Sequence, residues 1–131
     1  MRILKFRVWD GKAMAYPKTV EIGINGVNGL TSASYQLARG GYCTSAYVMQ
    51  FTGLLDKQGK EIYEGDILGG IWASGWIAWC EKCKSFEYFI DGFGCASCER
   101  DIYWQEVIED EKRLEVIGNI YENTELLEVA L

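Results

Sequence analysis

Leu4, Phe6 and Val8 alternate with Lys5, Arg7 and Trp9, the two-residue period of a half-buried strand. Asp10-Gly11 follows as a two-residue hairpin signal, and Ala13 to Tyr16 supply the return strand. Val20 and Ile22 resume the alternation, which stops at Gly23, Asn25-Gly26 and Asn28-Gly29. These are turn dipeptides, so residues 23 to about 41 are predicted as loop with at most a short helix. Further strands are predicted at Tyr47–Phe51, Ile71–Trp72, Trp76–Trp79, Phe86–Ile90, Ile102–Ile108 and Leu114–Ile117. Asp56 to Gly59 and Glu64-Gly65-Asp66 have turn chemistry, the second leading into Ile67-Leu68. Asn123 can cap a short final helix from Thr124 to about Val129.

Composition narrows the class. With 131 residues, 49% of them apolar and 14% aromatic, the chain can build a core without disulfides, and wholesale disorder is excluded. Histidine is absent, which removes the commonest general base and the commonest zinc ligand together. Lys5, Arg7 and Asp10 interrupt the N-terminal segment before it reaches signal-peptide length. The most apolar stretch, Ile67 to Cys80, is short and broken by glycines, so no membrane span is expected. No export is expected, which in a bacterium would mean the cytoplasm, where thiols stay reduced.

Charge is uneven. Residues 1–20 carry +4 and residues 99–131 carry −7, within a formal net charge of −6. An acidic whole opposes tight non-specific duplex binding, which depends on neutralising phosphates. The two ends are expected to face each other, within the fold or between two copies of the chain.

The cysteines change the picture most. Cys80, Cys83, Cys95 and Cys98 are spaced C-x2-C-x11-C-x2-C. Two residues between thiolates let one tight turn present both sulfurs to an ion, and two such turns complete a tetrahedron. Residues 84–94, with Phe86 to Ile90 and the turn pair Asp91-Gly92, have the length to run out and back as a hairpin. A structural Zn2+ held by Cys80, Cys83, Cys95 and Cys98 is the preferred reading. Iron in a tetrathiolate site, a dithiol redox pair and unliganded thiols are the alternatives. Lys82 and Lys84 lie where they would offset the −2 of a zinc tetrathiolate, but Lys84 and Glu99 stand where many zinc knuckles have glycine. Cys43 is left over and reads as a small buried thiol.

Three blocks of residues resemble one family. The first is Lys5-Phe6-Arg7-Val8-Trp9-Asp10 with Met14. The second runs Met49-Gln50-Phe51-Thr52-Gly53-Leu54, then Asp56-Lys57 and Gly59 to Ile67. The third is Val116 to Asn123, with Glu125-Leu126-Leu127 behind it. Together they are similar to the YopX family of phage and prophage proteins, found mostly in Gram-positive hosts. The resemblance implies a mainly β fold and no established enzymatic activity, and it defines no catalytic residues. Residues 70–110 lie outside these blocks. The expected organisation is thus a single YopX-like domain over 1–131, with a tetracysteine hairpin at 76–104 inserted in it.

Other candidate sites are weaker. Glu61, Glu64 and Asp66 place three carboxylates within six residues, but Gly65 favours a turn over an acid/base pair. Lys5, Arg7 and Trp9 share a strand face on which a single nucleic-acid strand could stack. Trp72, Trp76, Trp79 and Trp104 read first as core cover. The expected fold is mainly β, a small twisted-sheet or barrel-like domain of short antiparallel strands. It carries a zinc-ribbon-like β-hairpin and a short C-terminal helix. The expected function is that of a non-enzymatic phage accessory protein, binding an unidentified protein or a second copy of itself. The alternative is a nucleic-acid-binding zinc-ribbon module using Lys5, Arg7 and Trp9.

Overall fold

Asp10 shows how the first hairpin closes. Its Oδ1 accepts the amides of Lys12 at 2.8 Å and Ala13 at 2.9 Å, and Gly11 takes a φ of +100°, which other residues resist. The turn joins β1 (Phe6–Trp9) to β2 (Met14–Ala15), which pair antiparallel. The computed structural model describes residues 3–17, 20–24, 31–36, 42–43, 47–70, 75–90, 92, 94–108 and 114–128. They form two compact units, one of Leu4–Gln50 and a larger one of Phe51–Leu131 with Met1–Ile3.

In the smaller unit, β1 also pairs antiparallel with the first half of β6 (Tyr47–Leu55), with Phe6 opposite Gln50 and Trp9 opposite Tyr47. A second antiparallel sheet has the order β3 (Val20–Ile24), β4 (Thr31–Gln36), β5 (Tyr42–Cys43). The predicted loop at 23–41 therefore contains a strand. Thr31-Ser32-Ala33-Ser34-Tyr35-Gln36 has no strong apolar alternation to announce it, and its order comes from backbone pairing with β3 along five registered residues. The Asn25-Gly26 and Asn28-Gly29 turns and the Cys43 side chain lie outside the described residues.

The larger unit begins with β6 pairing β7 (Glu61–Tyr63) across a bulge. Asp56 locks the turn between them. One carboxylate oxygen accepts the amides of Gln58 and Lys60, and the other accepts the Val116 amide, each at 2.9 Å. Burial alone would raise its pKa, but the Val116, Lys60 and Gln58 amides outweigh it and hold the carboxyl below the ordinary 3.8. The contribution is thus complete above pH 4 and disappears as pH falls through the lowered value. Asp56→Ala leaves three amides without their acceptor and should cost about 3 kcal/mol in urea unfolding at pH 7. Asp56→Asn should lose less at pH 7 and also flatten the acid limb of the stability profile.

The main sheet is antiparallel throughout. Its order is β11 (Gly94–Cys95), β10 (Ser85–Ile90), β9 (Gly75–Cys80), β8 (Asp66–Gly69), β12 (Glu115–Asn119). The second resemblance block ends within β8, the third supplies Val116–Asn119 of β12, and β9 pairs directly with β8. At Gly75 an added Cβ would collide with the Phe89 carbonyl oxygen and stand 2.7 Å from Tyr88 Cζ, so β9 reaches β10 closely enough only with glycine there. The core is formed by Ile62, Leu68, Ile77, Tyr88, Ala96, Trp104, Ile108 and Leu114. Tyr88 buries its ring and donates its hydroxyl to the Leu68 carbonyl at 3.2 Å.

The strand predicted at Ile102–Ile108 does not form. After β11 the chain enters α1 (Ala96–Arg100), turns, and makes the short helix α2 (Trp104–Glu106). Trp104 and Ile108 stand four residues apart, a spacing that suits one helix face as well as it suits alternate strand positions. Asp101, in the left-handed region with φ 55°, ends α1, and the Ile102 amide closes back on the Ala96 carbonyl at 2.9 Å. The final helix α3 (Glu125–Glu128) forms as expected. Asn123, expected to cap it, turns its carbonyl oxygen back to the Asn119 amide at 3.1 Å. Asn119 in turn accepts the amides of Tyr121 and Glu122. A Cβ at Gly118 would meet the Asn123 side chain at 2.5 Å, which is why the third block carries glycine at 118.

Candidate metal centre

Two different devices bring the four sulfurs together. The β9–β10 turn carries the first pair: Cys80 ends β9 opposite Ser85, and Cys83 lies inside the turn. The Lys84 amide closes that turn on the Cys80 carbonyl at 2.8 Å. Lys84 adopts φ 56°, so the left-handed residue of a zinc knuckle is present although its glycine is not. The second pair is placed by a helix start and not by a second turn. Cys95 pairs with Phe89 in the sheet and is the N-cap of α1, which puts Cys98 one turn along. The sequence reading missed this helix, although Ala96, Glu99 and Arg100 are helix-forming residues that could have signalled it.

The geometry fits one ion. Cys80 and Cys98 sulfurs lie 3.9 Å apart, as do those of Cys83 and Cys95, and all four fall within 4.8 Å of one another. Four thiolates at about 2.3 Å from zinc stand about 3.8 Å apart at the corners of a tetrahedron. A disulfide would need about 2.05 Å, and all four cysteines are free thiols. Among the described residues this is the group of metal-capable side chains that converges.

Electrostatics favour a cation at the centre. The Cys83 amide, with help from that of Lys82, draws Cys80 down to about 7. Desolvation beside the packed sulfurs, with the neighbouring cysteines, pushes Cys98 up to about 12 although its side chain reaches the surface, and desolvation is also the first cause raising Cys83. The turn thus favours the Cys80 thiolate, while Cys83 and Cys98 resist ionising beside it. Full ionisation of such a cluster requires positive charge among the sulfurs. Lys82 answers part of this. Its ammonium is held by Glu99 at 3.4 Å, and its pKa is raised first by that carboxylate and further by Cys98 and Cys80. Lys84 instead pairs with Glu81 at 3.0 Å. Ser97, unmarked in the sequence reading, stands close enough to Cys83 that its hydroxyl pulls that thiol's pKa down against the groups that raise it.

The remaining candidates are placed apart. Asp66, 1% exposed, accepts the Tyr63 amide at 2.8 Å and fixes the β7–β8 turn, whereas Glu61 and Glu64 are half-buried. On β1 and just before it, Lys5 is exposed and Trp9 half-buried, but Arg7 is only 3% exposed. The Arg7 side chain is therefore largely withdrawn from solvent. The tryptophans divide. Trp104 is in the core and donates its indole N–H to the Phe86 carbonyl at 3.0 Å. Trp76 stacks on Phe89, and Trp79, 42% exposed, meets Phe86 edge-on. Trp72 lies outside the described residues.

Comparison with known proteins gives a consistent result. The family model described as YopX protein matches residues 5–128. Among solved structures, the chain is similar to the crystal structure of protein EF1440 from Enterococcus faecalis, with 29% identity and a TM-score of 0.59. That similarity covers 97% of this chain and 99% of the other. No curated protein matches the chain. No described helix is long and apolar enough to cross a membrane.

Proposed function

The chain belongs to the YopX family, and from that premise we propose that it is a phage- or prophage-encoded accessory protein that acts by binding, with no catalytic activity of its own. The carrying observation is the four-sulfur cluster, within 4.8 Å on every side. Four protein ligands close a tetrahedral ion completely, which is the arrangement of structural zinc and leaves no position for a substrate. Zinc is accordingly the proposed ion, and the bacterial cytoplasm, where thiols stay reduced, is the proposed location.

A protein partner is favoured over nucleic acid. The net charge of −6 and the enclosure of Arg7 both weaken phosphate binding. The larger unit exposes Trp79, Tyr103, Leu55 and Ile117, the kind of apolar and aromatic surface enriched at protein interfaces. Affinity capture of the tagged full chain from phage-infected cells, with and without nuclease, tests the reading. It predicts a defined protein, or a second copy of the chain, retained after nuclease. Recovery of nucleic acid alone, or of proteins all lost with nuclease, would replace it with the nucleic-acid-binding reading.

A further inference from the structure

We propose that the tetracysteine centre is also an oxidative modification site, whose oxidised form carries two disulfides joining the β9–β10 turn to α1: Cys80–Cys98 and Cys83–Cys95. The inference rests on the four cysteines forming one thiolate cluster, and goes beyond the structural role given to it above.

Three observations carry it. The first is pairing. The two sulfur contacts at 3.9 Å both cross between the turn and the helix, so each needs a closing movement of about 2 Å to reach bonding distance. The second is access. A cleft of about 510 Å³ opens on Cys80, Cys95 and Cys98, with Trp79 and Phe89 among its walls, and Cys98 is exposed. A small peroxide can therefore reach the cluster at Cys98, while Cys83 is not among the residues lining that cleft. The third is register. Cys80 is registered against Ser85 and Cys95 against Phe89 by sheet pairing, and Lys82 holds Glu99 across the same gap. These contacts set the crossed partners opposite each other within the thiolate cluster, so the pairing is decided before the ion leaves.

The chemistry balances with a two-electron oxidant of the hydrogen peroxide class. The Cys98 thiolate attacks one peroxide oxygen, the O–O bond breaks, and hydroxide leaves. The Cys80 thiolate then attacks the resulting sulfenic sulfur, forming the S–S bond and expelling a second hydroxide. Two protons from solvent convert these to water. A second peroxide does the same for Cys83 and Cys95. Four thiolates lose four electrons, two peroxides become four waters, and the uncompensated Zn2+ departs. A dithiol reductant and added zinc should reverse both steps.

The test uses the intact chain, with its zinc content measured first. Hydrogen peroxide is titrated in the presence of a chromogenic zinc indicator, and the product is digested without reduction for disulfide mapping by mass spectrometry. The expected result is one zinc released per two peroxides, with Cys80–Cys98 and Cys83–Cys95 peptides that disappear on reduction. Disulfides within Cys80–Cys83 and Cys95–Cys98, or irreversible sulfinic products, would overturn the inference. Zinc retained through excess peroxide would overturn it as well. A chain isolated without metal that still forms the two crossed disulfides would sink the zinc reading while supporting the pairing, so the two failures are distinguishable.

Discussion

Removing the metal, by a strong chelator or by Cys83→Ser, should unfold the larger unit as a whole and not merely loosen the turn at 81–84. Structural zinc contributes roughly 10–16 kcal/mol in small finger peptides, as much as the entire stability of a domain, about 5–15 kcal/mol. The site is not a detachable appendage. Cys80 ends the central strand of the five-stranded sheet, and Cys95 is followed at once by Ala96 in the core. α1 then leads within a few residues to Trp104, also in that core. Hydrogen exchange is the suitable readout. Protection should collapse together at 66–69, 75–80, 85–90 and 115–119, the strands of the sheet. Loss confined to 81–84 and 94–100 would show that the core stands without the ion.

The second large effect is expected at Trp104. It is the largest fully buried side chain of the described residues, and it does two jobs. Its ring fills the core beside Tyr88 and Leu114, and its N–H bonds to the Phe86 carbonyl, at the end of β10 that β11 does not pair, a carbonyl shared with Gln105 at 3.1 Å. Trp104→Ala therefore combines a cavity with a lost hydrogen bond and should cost about 4 kcal/mol. With a urea slope near 2 kcal/mol per molar, the unfolding midpoint should fall by about 2 M. Trp104→Phe, which keeps most of the volume and loses the donor, should fall by less than half as much. Equal losses for the two variants would place the effect in the hydrogen bond and not in the packing.

What could be read from the sequence depended on how locally each feature is determined. Cysteine spacing is covalent, so it fixes which sulfurs can meet, and the four named cysteines do converge. Turns are local too, and Asp10-Gly11, Asp56 to Gly59 and Gly65 all turn where expected. β4 was hidden because its small polar residues carry little hydrophobic signal and its order comes from β3. Residues 102–108 were misassigned because Trp104 and Ile108 suit either period. Strand alternation at the N-terminus also misjudged burial: Leu4 is 64% exposed while Val8 and Arg7 are enclosed, since tertiary packing decides which face is covered. At Lys84, the left-handed turn forms without the glycine that would have announced it.

Cys80, Cys83, Cys95 and Cys98 are expected to hold one ion between their four sulfurs. The most direct test is metal analysis of the freshly purified full chain, by mass spectrometry of the dissolved elements. One zinc per chain is the expected result. A folded chain containing neither zinc nor any other metal would contradict it.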